Sequence, residues 1–169
     1  LHPAIEAATK IASDGIAPSD IAAVEITVHR DVEPWCEPLD QKRRPGNAAA
    51  AANSIPFCTA RALVHGDVTL ADFTEAGLTD EAALRVSDRT TCCLDDGYSG
   101  AAVKVTMADG AEQAVRIDNP LGSPARPISA DRLQDKFRDC CGHAASNLTE
   151  AQIEALIETV NNLEALDDV

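Results

Sequence analysis

The sequence predicts an α+β fold: a small, mostly antiparallel sheet packed with helices on one face. Two observations carry this. The periodic segments run in the order helix, strand, long loop, helices, three strands, two helices. The composition is 45% hydrophobic but only 3% aromatic, with alanine supplying much of the apolar count. An alanine-rich core is thin, so elements must pack at close range.

Residues 3–13 read as a helix, with Pro3 in its first turn, Ile5, Ala8 and Ala12 on one face, and Glu6 and Lys10 as a solvent pair. In "IAAVEITVHR", Val24, Ile26 and Val28 alternate with polar neighbours, which marks a half-buried strand. Residues 31–47 hold three prolines and no clear period, and read as a long loop. Residues 48–66 are helical in composition, with Ser54 as an N-cap that places Pro56 safely in a first turn. "TLADFT" and "TDEAALRVSD" read as short helices capped by Thr69 and Thr79. "TTCCLDD", "AAVKVTMADG" and "AEQAVRID" read as strands, the last two joined by a hairpin with Asp109-Gly110 at its tip. Ser129 starts a helix running to about Gly142, and Thr149 with Gln152 caps a final helix. That helix carries Ile153, Leu156, Ile157, Val160 and Leu163 as an apolar stripe in need of a partner.

The 28 acidic and 14 basic residues leave a net charge of −14. That balance argues against nucleic acid and against anionic membrane surfaces, both of which need a basic face. No apolar run approaches the roughly 20 residues of a membrane span. Four of the six cysteines form the adjacent pairs Cys92-Cys93 and Cys140-Cys141. This spacing suits neither a zinc site nor a redox motif, so reduced, partly buried thiols of a cytoplasmic protein are expected, with no metal.

The candidate chemistry is sparse. His2 stands at a helix start, where an imidazole is able to act as acid or base near neutral pH, or else is an exposed end-group. "QKRRPG" is the one basic cluster, and Lys42, Arg43 and Arg44 offer a patch for carboxylates or a merely solvated loop. Ser54 lacks a nucleophile's setting and reads as a cap. "LDDGYSG" lacks full calcium-loop spacing, Tyr98 reads as packing, and His29, His65 and His143 make no ligand motif. No complete catalytic set assembles; the chain reads as half of a site.

Taken in order, "HPAIEAA", "IAAVEITVH", "RRPGNAAAAANSIPFCTARALVHGDVTLADFT", "VKVTMADG" and "NPLGSPARPISADRLQDKF" resemble the C-terminal part of the MmgE/PrpD family, which includes 2-methylcitrate dehydratase. The resemblance implies a lid domain over residues 1–145. It leaves 146–169 as an amphipathic helix packing on the lid or on a helical domain missing from this chain. It implies a cofactor-free site between the two domains, dehydrating, decarboxylating or epimerising a small di- or tricarboxylate. It makes His2 the acid/base, Lys42, Arg43 and Arg44 carboxylate ligands, and Ser54 and Phe57 site-lining residues. Phe57 stands where relatives often carry a tyrosine directed at the substrate, so no phenol-dependent step is assigned to it. A homodimer is expected for the full-length protein, and inactivity for this chain alone. Leu1 is not an initiator, and a cut at the join between domains is the expected explanation. Two other readings stand beside this one: a non-catalytic module that binds a partner through its helix stripe, and a family member that has lost activity.

Overall fold

In the computed structural model, which describes residues 1–165, helix α1 (His2–Ser13) opens the chain. Pro3 sits in its first turn, where a missing N–H costs nothing. Ala4, Ala7, Ala8 and Ile11 are buried along its inner face, and Gly15, at φ +82°, turns the chain out of it. Strand β1 (Ile21–His29) follows, with Val24, Ile26 and Val28 buried and Glu25 exposed, as the alternation predicts.

The stretch expected as loop, 31–47, is largely ordered. Arg30–Trp35 is a 3₁₀ segment and Leu39–Arg43 is helix α2. Local side chains satisfy the backbone donors that would otherwise need a longer helix. His29 Nδ1 accepts the Asp31 N–H at 3.1 Å, and Glu37 Oε2 accepts the Leu39 N–H at 2.7 Å.

Residues 48–66 form two helices, α3 (Ala48–Ala52) and α4 (Ile55–His65). Proline inside a continuous helix would remove a rung and clash with the preceding turn. The break therefore falls just before Pro56, and Ser54 caps α4 as expected. Gly66, at φ +82°, closes it.

Thr69 and Asp72 cap the 3₁₀ segment Leu70–Phe73 reciprocally. Helices α5 (Glu75–Leu78) and α6 (Glu81–Asp88) follow. Asp80, not Thr79, caps α6: its carboxylate accepts the Ala82 and Ala83 N–H groups. The Thr79 hydroxyl instead donates back to the Glu75 carbonyl at 2.8 Å, closing α5.

Strands β2 (Thr90–Asp95), β3 (Ala101–Met107) and β4 (Glu112–Ile117) complete a four-stranded sheet of order β2-β1-β3-β4. The β1–β2 pair is parallel; β1–β3 and β3–β4 are antiparallel, so the sheet is mixed. The β3–β4 hairpin turns where expected. Gly110 has φ +87°, and Asp109 Oδ1 accepts the Ala111 N–H at 2.9 Å. Helix α1 packs against α4 and across β3 and β4. Ala4, Ala7, Ala8, Ala60 and Ala62 belong to the same buried cluster as the strand residues, as the thin-core expectation requires.

The chain divides into two units, Leu1–Arg126 and Pro127 onward. The second contains α7 (Ala130–Gly142) and α8 (Glu150–Asn161), capped by Ser129 and by the Thr149/Gln152 pair as predicted. The two helices pack together, and Arg138 forks onto Glu154 at 2.7 and 3.0 Å. The sequence boundary at 145 falls after α7, whereas α7 groups with α8. Neither helix has a buried residue. Leu133 is 56% exposed and Val160 67%, and with Phe137, Leu156 and Ile157 they border an open apolar groove of about 190 Å³. No helix among the described residues is long and apolar enough to cross a membrane.

Candidate functional site

Helices α1 and α4 bring their N-terminal ends to one pole of the first unit. Leu1 and Ile5 pack against the cluster that contains Phe57 and Cys58. The Leu1 side chain also packs against the main core cluster, which includes Cys36. Backbone N–H groups at two helix starts give this pole a positive character that contrasts with the chain's net charge.

His2 occupies the first position of α1, exposed, with no hydrogen-bond partner among the described residues. Its ring is unengaged. Glu6, one turn further on, is not the plain solvent partner of Lys10. Its Oε2 accepts the Leu121 N–H at 2.9 Å and its Oε1 pairs with Arg126 at 2.8 Å, while Lys10 stands at 3.5 Å. Burial works against the Glu6 charge, but these partners outweigh it and hold the carboxyl below its ordinary range. Glu6 thus fastens the loop after β4 onto α1.

The basic strap is laced to its surroundings. Lys42 Nζ donates to the Asn53 carbonyl at 2.9 Å, and Asn53 Oδ1 accepts Trp35 Nε1–H at 3.2 Å. Arg43 forks onto the Thr90 carbonyl through Nε at 2.8 Å and Nη2 at 2.5 Å, and its own carbonyl accepts the Ser87 hydroxyl at 2.8 Å. Arg44 grips both oxygens of Asp88, at 2.9 and 2.6 Å. The three cations are therefore not equivalent. Lys42 and Arg43 rest on neutral carbonyls, with no acidic partner among the described residues. Arg44 is paired at the surface with a carboxylate of its own.

Ser54 and Phe57, expected to line the site, have no exposed surface: both are 0% accessible. The Ser54 hydroxyl donates to the Lys42 carbonyl at 2.5 Å and accepts the Phe57 N–H at 3.1 Å. That ties the strap to the start of α4. Phe57 packs among Ala51, Cys58 and Leu84. The pair supports the pole from inside: the Ser54 proton is committed to the Lys42 carbonyl, and neither side chain has surface for a ligand to reach. Cys58 is equally committed. Its thiol donates to the Ala51 carbonyl at 3.3 Å, and burial pushes it up to about 12.

Sequence reasoning passed over a buried polar network on α4. Arg61, 7% exposed, pairs with Asp72 and Asp80, reaching Asp72 Oδ1 from Nε at 2.6 Å. His65 Nε2 lies 2.6 Å from Asp80 Oδ2. Burial opposes the Asp80 charge, yet His65, the Ala82 and Ala83 N–H groups and Arg61 together lower its carboxyl below the ordinary range. Gly77 is required here, since a Cβ would meet the Asp72 carbonyl oxygen at 2.3 Å. One signal was legible: an arginine inside the apolar run "IPFCTARALV" has to find a buried counter-ion. His29 and Tyr98 do not join the pole. His29 faces Asp31, His143 Nδ1 meets the Asp139 carbonyl, and Tyr98 lies 4.3 Å beneath the Arg116 guanidinium. Among the described residues, no cluster of three or more acidic, histidine or cysteine side chains is arranged to hold a metal.

The first unit is an α+β domain, a four-stranded mixed sheet backed by helices, with His2 unengaged at the start of α1. The chain belongs to the MmgE/PrpD family: the family's C-terminal domain matches residues 1–162. It is 38% identical over 66 residues to the human (Homo sapiens) cis-aconitate decarboxylase, covering 39% of this chain and 13% of that protein. It is 24% identical over 160 residues to the mitochondrial 2-methylcitrate dehydratase of Yarrowia lipolytica, covering 87% of this chain and 30% of that protein. The chain thus spans less than a third of either relative.

Proposed function

We propose that this chain is the lid domain of a cofactor-independent lyase or isomerase that acts by acid–base chemistry on a small di- or tricarboxylate. The reaction is dehydration, decarboxylation or epimerisation next to a carboxylate. The observation that carries this reading is the unengaged His2 ring at a helix N-terminus, on the pole that also holds the strap of Lys42 and Arg43. Removing a proton beside a carboxylate builds enolate-like charge, which needs fixed cations or N–H donors. Lys42, Arg43 and the helix start supply these, while a histidine is suited to take or return the proton. Arg44, Ser54 and Phe57 act indirectly by holding the strap and its floor in place.

The remaining catalytic groups belong to a helical domain outside this chain, and closure of the lid over it excludes water. The exposed stripe of α7 and α8 is the surface through which the second unit joins that domain. The assembled enzyme is a cytoplasmic homodimer. The test is a screen of 2-methylcitrate, cis-aconitate, citrate and related polycarboxylates with the protein that contains both domains, run beside this chain alone. Turnover by the two-domain protein and none by the chain is the expected result. Dehydration by the chain alone would remove the half-site reading, and inertness of both would remove the enzyme reading in favour of a binding module.

A further inference from the structure

Helices α1, α4 and α6 pack on one face of the sheet, where Val24, Ile26, Val28, Val103, Val105 and Ile117 are buried. The alternate strand residues point the other way, and none of them is buried. We infer that this open face is the contact of the homodimer proposed above, where two copies of the chain pair sheet on sheet.

The strand registers lay two rows of side chains across this face. Thr91, Glu25, Lys104 and Ala114 stand side by side on β2, β1, β3 and β4. In the next row stand Cys93, Thr27, Ala102 and Arg116. A two-fold axis running along the strands, midway between β1 and β3, lays β1 of one copy over β3 of the other and β2 over β4. Each row then meets itself reversed. Glu25 of one copy faces Lys104 of the other, twice per dimer. Thr27 faces Ala102 at the centre, and Cys93 faces Arg116.

Charge singles out this face as the one a second copy fits. The chain carries a net charge of −14, so two copies repel over most of their surface. These two rows instead set Glu25 against Lys104 and Arg116, with the acid on the β1 side and the cations on the β3–β4 side. Lys104 also stands 3.5 Å from Glu112, and Arg116 lies 2.7 Å from Asp118. Both are surface pairs, which bind weakly and leave the cations free to meet a facing carboxylate. The short side chains of Thr27, Ala102, Ala114 and Thr91 let two sheets approach to about 10 Å, the usual spacing of aligned sheets. The face measures roughly 19 Å by 20 Å from strand spacing and rise. That is at the small end of specific interfaces, so the pairing is weak and depends on concentration.

The test is sedimentation equilibrium of the chain from micromolar to millimolar concentration, where a monomer–dimer equilibrium is expected. Glu25→Lys and Lys104→Glu each set like charges across the axis twice, and each should weaken the dimer at least about tenfold. The double exchange E25K/K104E restores opposite charges and should return the dimer to within about threefold of wild type. Glu25 and Lys104 are also neighbours within one sheet, so circular dichroism checks that each variant is folded. A second measurement does not depend on those variants. In Arg116→Cys, a short bis-maleimide should join position 116 of one copy to Cys93 of the other, an exposed thiol. The product is a species of doubled mass on a denaturing gel, expected both for this chain and for the protein containing both domains. A chain that stays monomeric, or a dimer that Leu133→Ser abolishes and Glu25→Lys does not, overturns the inference. So does absence of the cross-link from the two-domain protein, which would give this face to the helical domain. Turnover enters none of these readouts, so the pairing can fail while the acid–base chemistry stands.

Discussion

Replacing Arg61 with methionine keeps most of the side-chain volume and removes the counter-ion of Asp72, whose side chain is 5% exposed. Breaking one partner of a buried pair costs about 3–5 kcal/mol, because the remaining charge stays buried without compensation. Asp72 retains the Thr69 N–H at 2.5 Å and the Thr69 hydroxyl at 3.2 Å, and Asp80 keeps His65 and its two backbone donors. These place the expected loss at the lower end, about 3 kcal/mol. For a chain of 169 residues that corresponds to a fall in Tm of about 6–12 °C. The double variant R61M/D72N removes the stranded charge while asparagine still accepts from Thr69, so it should recover about 1–2 kcal/mol relative to R61M. Urea denaturation followed by far-UV circular dichroism measures all three variants. If R61M stays within about 1 kcal/mol of wild type, or if the two substitutions simply add, the network is not the buried ion pair the geometry indicates.

Four further outcomes are expected. His2→Ala, in the protein containing both domains, should lower turnover at least about a hundredfold without shifting the melting temperature; an unchanged rate removes His2 from the mechanism. Ser54→Ala should cost about 1–3 kcal/mol in urea denaturation, because it unmakes a cap and leaves the Lys42 carbonyl without its hydroxyl donor. Glu6, with its carboxyl held below the ordinary value of 4.5, contributes stability above that pH and loses it as pH falls through the lowered value. Wild type should therefore lose more stability than Glu6→Gln between pH 6 and pH 3, and parallel denaturation curves would contradict the Leu121 and Arg126 latch. Leu133→Ser should leave the stability of this chain within about 0.5 kcal/mol but weaken its association with a separately produced helical domain, measured by calorimetry.

Local signals were the legible ones. The alternation of Val24, Ile26 and Val28, the Ser54 and Ser129 caps, the Thr149/Gln152 box and the Asp109-Gly110 turn each act within a few residues, and each appears where the sequence places it. What escaped was set by partners distant in sequence. Nothing near Arg43 indicates that its fork will find the Thr90 carbonyl, and nothing near Arg44 indicates Asp88. The order in 31–47 escaped because short capped turns carry no hydrophobic period to count. Thr79, expected as the cap of α6, gives way to its neighbour Asp80, whose carboxylate is also tied to Arg61 and His65.

The sheet's strand order also dictates how the chain must assemble. Central strand β1 is made early but pairs with β2 across the whole of segment 30–89, and with β3 still later. Only the β3–β4 hairpin is local. A nascent chain therefore carries the apolar edge of "VEITV" without its first neighbour until more than half of the described residues exist, and without its second until nearly two-thirds exist. Closure over that distance makes folding slow relative to a helical bundle of the same size. Truncation before Ala101 removes the strand that shields one whole side of β1, and the fragment presents a ready template for pairing with other copies.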